Sequence, residues 1–399
     1  MSLDRLLDAE TFAAGHPVEL YRRLRAEAPV HRHPEPQGRG FWALTRYADV
    51  WAVDHDFQTY SSEPTIMIPD GDIGTALGEA KMMLMMDPPE HTAFRKLIRA
   101  EFTRPAAGGR EPRLQTLARQ IVNEVIERGE CDFVADVAGE MPSYVIAELM
   151  GLPLEDGREL YKLTEIIHSA PDTLPPNAGR EAVFKMFAYA GEVISAKRAR
   201  PSDDLASRLL TAEVDARRLT DNEFLLFFLL LVDAGGDTTR NLLASGLWAL
   251  DQNPDQATWL KADLPSRLAG AREELLRFTS PVIYMRRTAT RDARIGAAKI
   301  AEGDKVVMYF GAANRDPEAF DQPDTLNLAR TPNAHVAFGG GPHVCLGQHL
   351  ARIEIDAILI EVLTRMRDLE IRAPPVWLAS TFISGPKTMP VRFTPGVKI

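Results

Sequence analysis

Cysteine is scarce in this sequence, with only two residues, Cys131 and Cys345, among 399. A disulfide framework needs more cysteines than this, and a structural zinc site usually takes four Cys or His ligands. The composition therefore argues against both kinds of stabilisation, and two distant thiols suit a reducing cytoplasm. We expect at most one of the two cysteines to take part in chemistry.

Positive charge and long apolar runs are also in short supply. The chain has 46 Lys and Arg against 56 Asp and Glu, a net charge of −10 with His neutral, whereas nucleic-acid binding needs a basic face. The longest apolar run, residues 224–232, is about half of the roughly 20 residues of a membrane-spanning helix. The N-terminus lacks the apolar segment of a signal peptide. We expect a cytoplasmic protein without a membrane anchor that does not bind nucleic acid.

The sequence has mainly helical periodicity. A capping box at Thr220 and Glu223 predicts a long helix that ends near Gln252, roughly 33 residues or about 50 Å. Other helices are predicted over 88–102, 112–128, 141–151, 156–169, 179–198, 264–278 and 347–366, and strands over 41–46, 282–289, 292–300 and 304–309. Residues 57–87 and the Pro-rich residues 169–179 are predicted loops.

These elements predict a mainly α protein with small β-sheets. We expect one domain over residues 1–399, because the sequence contains no linker and no repeat. We expect the strands mainly in residues 1–60 and 282–330, approximately, and near the C-terminus. We expect the helices mainly in residues 88–278 and 346–367, approximately.

Residues 338–347 have the sequence FGGGPHVCLG. Three glycines permit a tight backbone turn that approaches a flat ligand closely. Cys345 stands at the start of a predicted helix, where backbone N–H groups lower the pKa of a thiol. The alternative is a buried structural cysteine beside a Gly-rich turn, which is the interpretation that we adopt for Cys131.

The sequence AGGDTT occupies residues 234–239, in the middle of the long predicted helix. Each Gly costs about 1 kcal/mol relative to Ala in a helix interior, and Asp and Thr are also poor helix formers. Thr and Asp side chains can bond to backbone carbonyls and open the helix. A functional distortion and a close helix–helix crossing both account for such a segment.

The two segments, with further motifs in the same order, resemble the cytochrome P450 family. Residues 338–347 match the family's F-x-x-G-x-H-x-C-x-G loop at every fixed position, and residues 234–238 match its A/G-G-x-D/E-T groove. The resemblance implies a triangular-prism-like domain that holds haem b between the long helix and the Cys loop with its helix. It implies that Cys345 is the ligand of the haem iron and that haem is also contacted by Ala234, Phe338 and Gly347.

The resemblance assigns further roles. Asp237 and Thr238 would be the acid–alcohol pair that guides protons to dioxygen. Asp233, one turn earlier, shares a helix face with Asp237; it either lines the proton route or is a solvated or ion-paired acid. Glu274, Arg277 and Arg330 would form a structural ion network. The haem propionates would be bound by four side chains: His91, Arg95, Arg287 and His343. We choose Arg287 over its neighbour Arg286 because successive strand residues point to opposite faces.

The implied activity is insertion of one oxygen atom of O2 into a C–H bond of a small or medium hydrophobic substrate, a terpenoid, steroid or alkyl chain. Electrons would come from NAD(P)H through a ferredoxin reductase and an iron–sulfur ferredoxin, and the protein would be a monomer. Candidate ferredoxin contacts on the proximal face are Lys96, Arg99 and Arg352. Candidate substrate contacts are residues 66–68 and 82–85, Val282, Ile283, Met285, Phe382 and Ile383.

Three alternatives remain open at the level of sequence. A peroxide-driven haem–thiolate enzyme typically lacks the acid–alcohol pair, which is present here. A non-catalytic haem sensor or ligand-binding protein would accept no electrons from a ferredoxin. A zinc protein is the remote alternative, since the chain has too few clustered ligands.

Overall fold

The computed structural model describes residues 2–36, 38–70, 80–169, 173–214 and 216–399. The helices are α1 (Val18–Glu27), α2 (Tyr47–His55), α3 (Glu90–Arg99), α4 (Arg104–Ile126), α5 (Glu140–Met150), α6 (Leu154–His168), α7 (Ala178–Ala199), α8 (Leu205–Thr211), α9 (Asp221–Asp251), α10 (Pro254–Ala262), α11 (Leu264–Thr279), α12 (Phe310–Ala313) and α13 (Gln348–Arg365).

The strands are short. They are β1 (Val30–His33), β2 (Phe41–Leu44), β3 (Tyr60–Ser61), β4 (Glu130–Asp132), β5 (Glu213–Val214), β6 (Arg217–Arg218), β7 (Tyr284–Ala289), β8 (Ala293–Ile295), β9 (Ala298–Ile300), β10 (Lys305–Tyr309), β11 (Glu370–Ile371), β12 (Val376–Trp377), β13 (Pro386–Thr388) and β14 (Pro390–Arg392). The largest sheet has the strand order β1-β2-β10-β7-β3. Its β2–β10 pair is parallel and its other pairs are antiparallel. The prediction of a mainly helical protein with small β-sheets is confirmed.

Helix α9 runs through the largest hydrophobic core and packs against α5, α6, α7 and α11. Its N-terminus is the predicted capping box. The Thr220 hydroxyl accepts a hydrogen bond from the Glu223 backbone N–H at 3.2 Å, and the Glu223 carboxylate accepts one from the Thr220 N–H at 2.7 Å. Both reciprocal bonds satisfy amide donors that a helix start leaves free, so a 31-residue helix begins where the sequence predicts it.

Several predicted boundaries were wrong. Helix α4 begins at Arg104, not at residue 112, because the Thr103 side chain caps it and Pro105 fits in the first turn. The predicted strand 292–300 is the hairpin β8–β9, which turns at Gly296 with φ +56°. Helices α8 and α10 were not predicted. Of the predicted loops, residues 71–79 and 170–172 lie outside the described residues.

Within the described part of the chain, no helix combines the length and hydrophobicity that a membrane-spanning segment requires.

Candidate active site

A cavity with about 1570 Å³ of empty volume, including its mouth, lies between α9 and the loop of residues 338–347, here called the Cys loop. Its lining is mostly apolar. Small-molecule sites are typically concave and mostly apolar, so this cavity has the character of a binding site for an apolar molecule or cofactor. Helix α9 contributes Ala234, Gly235, Thr238, Thr239 and Leu242, and the Cys loop contributes Phe338, Gly339, His343, Cys345 and Gly347.

The Cys loop is closed by a hydrogen bond from the Cys345 backbone N–H to the Phe338 carbonyl at 2.8 Å. Gly341 has φ +55°, and a Cβ there would collide with the carbonyl oxygen of Asp54 in α2. Glycine is therefore required for both conformation and space. The Gly340 N–H donates to the Asp54 carboxylate at 2.6 Å, so the end of α2 braces the loop beneath the cavity.

The Cys345 side chain lines the cavity at the entrance to α13. Burial raises the pKa of its thiol above the ordinary value, although backbone N–H groups of Gly347 and Gln348 and the nearby Arg95 lower it. The sequence-based expectation of a lowered thiol pKa is therefore wrong for the protein alone, because desolvation outweighs the backbone dipoles. A bound cation is what would favour the thiolate at this position.

The four predicted propionate ligands, His91, Arg95, Arg287 and His343, all line the cavity. The rings of His91 and His343 lie 4.1 Å apart, and the buried Nδ1 of His91 has no hydrogen-bond partner. Burial, with Arg95 close by, lowers the pKa of His91 to about 4. This concentration of donors would be stabilised by anionic groups, so the cavity fits a planar cofactor with two carboxylates, as haem has.

Arg287 and its neighbour Arg286 point to opposite sides of β7, as the strand geometry predicts. Arg287 lines the cavity, whereas Arg286 donates to the Ile68 carbonyl at 3.2 Å and pairs with Asp70. Arg287 also pairs with the buried Asp54 at 2.9 Å. Asp54 was missed from the sequence, because a single carboxylate in a short helix carries no motif.

The centre of α9 presents Thr238 to the cavity. Its hydroxyl donates to the Ala234 carbonyl at 3.0 Å, yet α9 is continuous through residues 234–239. The expected opening of the helix is thus not observed. A Cβ at Gly235 would lie 3.1 Å from Ile146 of α5. The small residues of this segment therefore permit a close helix crossing as well as forming the cavity wall.

Asp237 faces away from the cavity, towards α6, and is fully buried. Its Oδ1 accepts a hydrogen bond from the Thr164 hydroxyl at 3.3 Å, and its Oδ2 lies 3.5 Å from His168 Nδ1. Burial raises the pKa of Asp237 to about 7, although His168 opposes this. Asp233 accepts from His168 Nε2 at 2.6 Å, so it is an ion-paired acid. No sequence pattern indicated His168 or Thr164, since both come from another helix.

Glu274, Arg277 and Arg330 meet in one buried network. Arg277 binds both carboxylate oxygens of Glu274 at 2.8 Å, and Arg330 Nε donates to Glu274 Oε2 at 3.0 Å. Arg277 also donates to the carbonyl of Asn314 at 2.7 Å, and the Asn314 side chain accepts from the Val336 N–H at 2.8 Å. The network therefore connects α11 to the segment that leads into the Cys loop.

The basic candidates for partner binding differ in their surroundings. Lys96 and Arg99 are exposed on α3. Arg352 forms two 2.8 Å hydrogen bonds with Glu273, and its guanidinium lies 4.5 Å from the Phe338 ring centre. Arg352 thus packs on the Cys loop and is less available to a partner than the other two side chains.

Eight of the candidate substrate contacts fall into two groups, and the other four, Ile66, Met67, Met82 and Met85, are not among the cavity-lining residues. Met83, Leu84, Val282 and Met285 line the cavity. In contrast, Ile68, Ile283 and Phe382 pack into a second hydrophobic core beside the largest sheet, and Ile383 pairs with Val282 in an isolated bridge. For the second group, the interpretation as core residues is the better one. Periodicity could not separate the groups, because cavity-lining and core side chains are equally apolar.

Glu354 is a further cavity residue that the sequence did not single out. It lies on α13, its Oε2 has no hydrogen-bond partner, and burial raises its pKa to about 8. Below the carboxyl's ordinary pKa of about 4.5 the folded and unfolded states both hold the proton. Above it only the folded state does, so the wild type loses stability as pH rises towards 8.

We therefore expect Glu354→Gln to be more stable than the wild type at pH 8 and equally stable near pH 4.5. The difference in the free energy of unfolding should reach a few kcal/mol, since each pKa unit corresponds to about 1.4 kcal/mol. Thermal melting across this pH range measures it. Glu302→Gln, at an exposed turn, is the control and should show no such trend. A constant difference between Glu354→Gln and wild type at all pH values would contradict the assignment.

The cytochrome P450 family model matches residues 46–372. A steroid C26-monooxygenase of Mycolicibacterium smegmatis is 34% identical, over 97% of this chain and 93% of the relative. A methyl-branched lipid omega-hydroxylase of Mycobacterium bovis is 36% identical, over 94% and 90%. The solved structure of a Mycobacterium marinum cytochrome P450 in complex with pseudoionone is 37% identical, covers 94% of both chains and superposes with a TM-score of 0.89. With the Cys loop and its cavity, these matches establish that the chain belongs to the cytochrome P450 family and is a monooxygenase, an oxidoreductase.

Proposed function

We propose that the protein binds haem b and hydroxylates an aliphatic carbon of a steroid, terpenoid or branched alkyl chain. Electrons come from NAD(P)H through a ferredoxin reductase and a ferredoxin. The observation that carries the proposal is one largely apolar cavity with Cys345 on one wall and Thr238 on the other. The named activities of the two relatives, a steroid C26-monooxygenase and a methyl-branched lipid omega-hydroxylase, support the substrate class.

Cys345 is the proposed ligand of the iron, and the guanidinium groups of Arg95 and Arg287, with the rings of His91 and His343, would hold the propionates. Haem bound through a thiolate supplies the activation of dioxygen, because the thiolate pushes electron density that favours O–O cleavage. Arg95 donates to the Val344 carbonyl at 2.6 Å. Arg95 therefore contacts the residue before Cys345 and also lines the cavity. The apolar lining binds the substrate and excludes water.

Thr238 and Asp237 divide the handling of protons between them. The Thr238 hydroxyl reaches the cavity, where it positions a proton donor. Asp237 lies behind it on the α6 side of the helix and, with a pKa near neutrality, exchanges protons at working pH. An acid whose pKa lies near the operating pH is the most effective relay, because it both accepts and releases a proton readily.

The chain acts as a monomeric, cytoplasmic, single-domain protein over residues 1–399. Its ferredoxin binds on the side of α3, where Lys96 and Arg99 are exposed. An acidic partner would be steered there by charge despite the overall charge of −10.

The test is reconstitution of the purified holoenzyme with a ferredoxin, its reductase and NADH. The substrates are a steroid with an aliphatic side chain and a methyl-branched fatty acid. We expect both to shift the haem spectrum and at least one to give a hydroxylated product by mass spectrometry. Product from hydrogen peroxide alone, at an equal rate, would favour the peroxide-driven alternative. Spectral shifts without product under any electron supply would favour the ligand-binding alternative.

We expect Thr238→Ala to consume NADH but release most of the electrons as hydrogen peroxide. Loss of a positioned proton donor typically costs 10²- to 10⁴-fold, so product per NADH should fall at least about tenfold. The measurement is product and peroxide formed per NADH oxidised. Thr238→Ser retains the hydroxyl and should keep most of the coupling. Undiminished coupling in Thr238→Ala would remove the residue from proton delivery.

A further inference from the structure

His168 is the last residue of α6, and it contacts two acids that lie one turn apart on α9. Its Nε2 lies 2.6 Å from Asp233 Oδ1, and its Nδ1 lies 3.5 Å from Asp237 Oδ2. Ligand-type atoms of the three side chains all lie within 4.8 Å of one another. His168 Nδ1 and Asp237 Oδ2 are both buried and have no hydrogen-bond partner among the described residues.

Burial of the three side chains increases in the order Asp233, His168, Asp237. The Asp233 side chain is 26% exposed, that of His168 is 6% exposed and that of Asp237 is 0% exposed. Asp237 adjoins Thr238, whose hydroxyl faces the cavity. His168 is therefore placed between a partly solvated carboxylate and the buried acid that the proposed reaction needs.

Other charged and polar groups surround this cluster from each packed element. Arg240 lies 3.7 Å from Asp237 Oδ1 and 3.6 Å from Glu165 of α6, and Lys387 of β13 lies 3.2 Å from Glu165. Asp132 also acts on Arg240. The uncharged neighbours among the described residues include the Thr164 hydroxyl, the Tyr161 ring that packs on Arg240 at 4.7 Å, and the Phe382 ring 5.8 Å from His168.

His168 differs from these neighbours because it contacts Asp233 and Asp237 together. Burial opposes its charge, but the two carboxylates raise the pKa of His168 to about 9, so it is an imidazolium at neutral pH. An imidazolium donates from both ring nitrogens. It therefore donates to Asp233 through Nε2, while its Nδ1 lies 3.5 Å from Asp237 Oδ2, within range of a charge–charge attraction.

We propose that His168 is a positioning residue for proton delivery: anchored by Asp233, it holds and stabilises the Asp237 carboxylate and so couples the end of α6 to the acid–alcohol pair. The inference rests on the proposed function, because Asp237 matters only if protons must reach the cavity. It adds a residue from outside the α9 motif. Its physical basis is that a cation within about 4–6 Å favours the ionised form of a buried carboxyl.

The first test follows the protonation of Asp237 directly. Infrared spectra of the ferric holoenzyme, without substrate or ferredoxin, are recorded against pH, and the protonated-carboxyl band is assigned by its loss in Asp237→Asn. We expect the wild-type band to titrate near pH 7. In His168→Gln it should persist at least about one pH unit higher. In His168→Lys, which restores a cation, the midpoint should return towards the wild-type value.

The second test measures product and peroxide per NADH as a function of pH in the same variants. We expect His168→Gln to lower coupling and to move its pH profile upwards with the infrared midpoint, and His168→Lys to recover part of both. Thermal melting identifies any His168 variant that does not fold. In that case His168→Asn, a smaller uncharged replacement, provides the comparison and should change both readouts in the same direction as His168→Gln.

The outcomes separate this inference from the proposed function. An infrared midpoint that is unchanged in His168→Gln overturns the contact with Asp237, whatever the activity. A shifted midpoint with unchanged coupling overturns the role in proton delivery. If no product forms with any substrate but the midpoint shifts as expected, the contact stands and the proposed function fails.

Discussion

Replacing Cys345 with alanine is expected to abolish the red-shifted Soret band of the ferrous–carbon monoxide complex and, with it, all hydroxylation. The side chain lines the cavity at the turn into α13, and its sulfur is the proposed ligand of the iron. Alanine supplies no ligand atom. A thiolate ligand donates the electron density that favours O–O cleavage. We therefore expect hydroxylation to be lost together with the sulfur.

The matched control is Cys131→Ala. Cys131 lies in β4, paired with Val391 of β14, and burial raises the pKa of its thiol to about 12. It is an inert, partly buried thiol, so the variant should retain the wild-type spectrum and activity. The measurement is the carbon monoxide difference spectrum of both purified variants with their haem content. An unchanged band in Cys345→Ala would remove Cys345 as the ligand and the proposed mechanism with it.

Arg277→Ala is expected to have the largest effect on stability, a loss of about 3–5 kcal/mol. Both Arg277 and Glu274 are 0% exposed. Removing the guanidinium deprives the buried Glu274 carboxylate of its two-point partner, although Arg330 remains. It also leaves the Asn314 carbonyl without its 2.7 Å donor. A charge left buried without full compensation is strongly destabilising, whereas the intact pair contributes much less.

The measurement is chemical or thermal unfolding of the holoenzyme, together with haem retention, because the network supports the segment before the Cys loop. Arg198→Ala is the matched control. Arg198 binds both oxygens of Asp221, but each partner is 53% exposed. Such a surface pair contributes at most about 1 kcal/mol. Equal losses in the two variants would show that burial is not what makes the Glu274 network important.

Local sequence patterns predicted the elements that local interactions determine. The start of α9 was predicted correctly because a capping box involves residues only three apart. The turn of the Cys loop was predicted because glycine is the one residue that fits φ +55° at position 341 against the backbone of α2. Helix α4 was predicted to start too late, at residue 112, whereas Thr103 caps the helix nine residues, or about two and a half turns, earlier.

Long-range contacts decided the remainder of the site. The sequence placed Thr238 and Asp237 together, but a one-residue step along a helix turns side chains by about 100°. Only the packing of α6 against α9 makes one residue face the cavity and the other face His168. The positions of Asp54 and Glu354, which belong to no motif, are likewise set by packing. Their ionisation is set by burial, and burial is a property of the assembled core.

The sequence by itself determined the family, the position of Cys345 and the residue types around the cavity, because these depend on motifs whose spacing is short. Tertiary structure alone decided which apolar side chains line the cavity and which fill the core. It also decided that His168 and Arg240 approach Asp237, and that burial raises the pKa of the Cys345 thiol. The physical reason is that desolvation and charge pairing depend on neighbours distant in the chain, about which local periodicity carries no information.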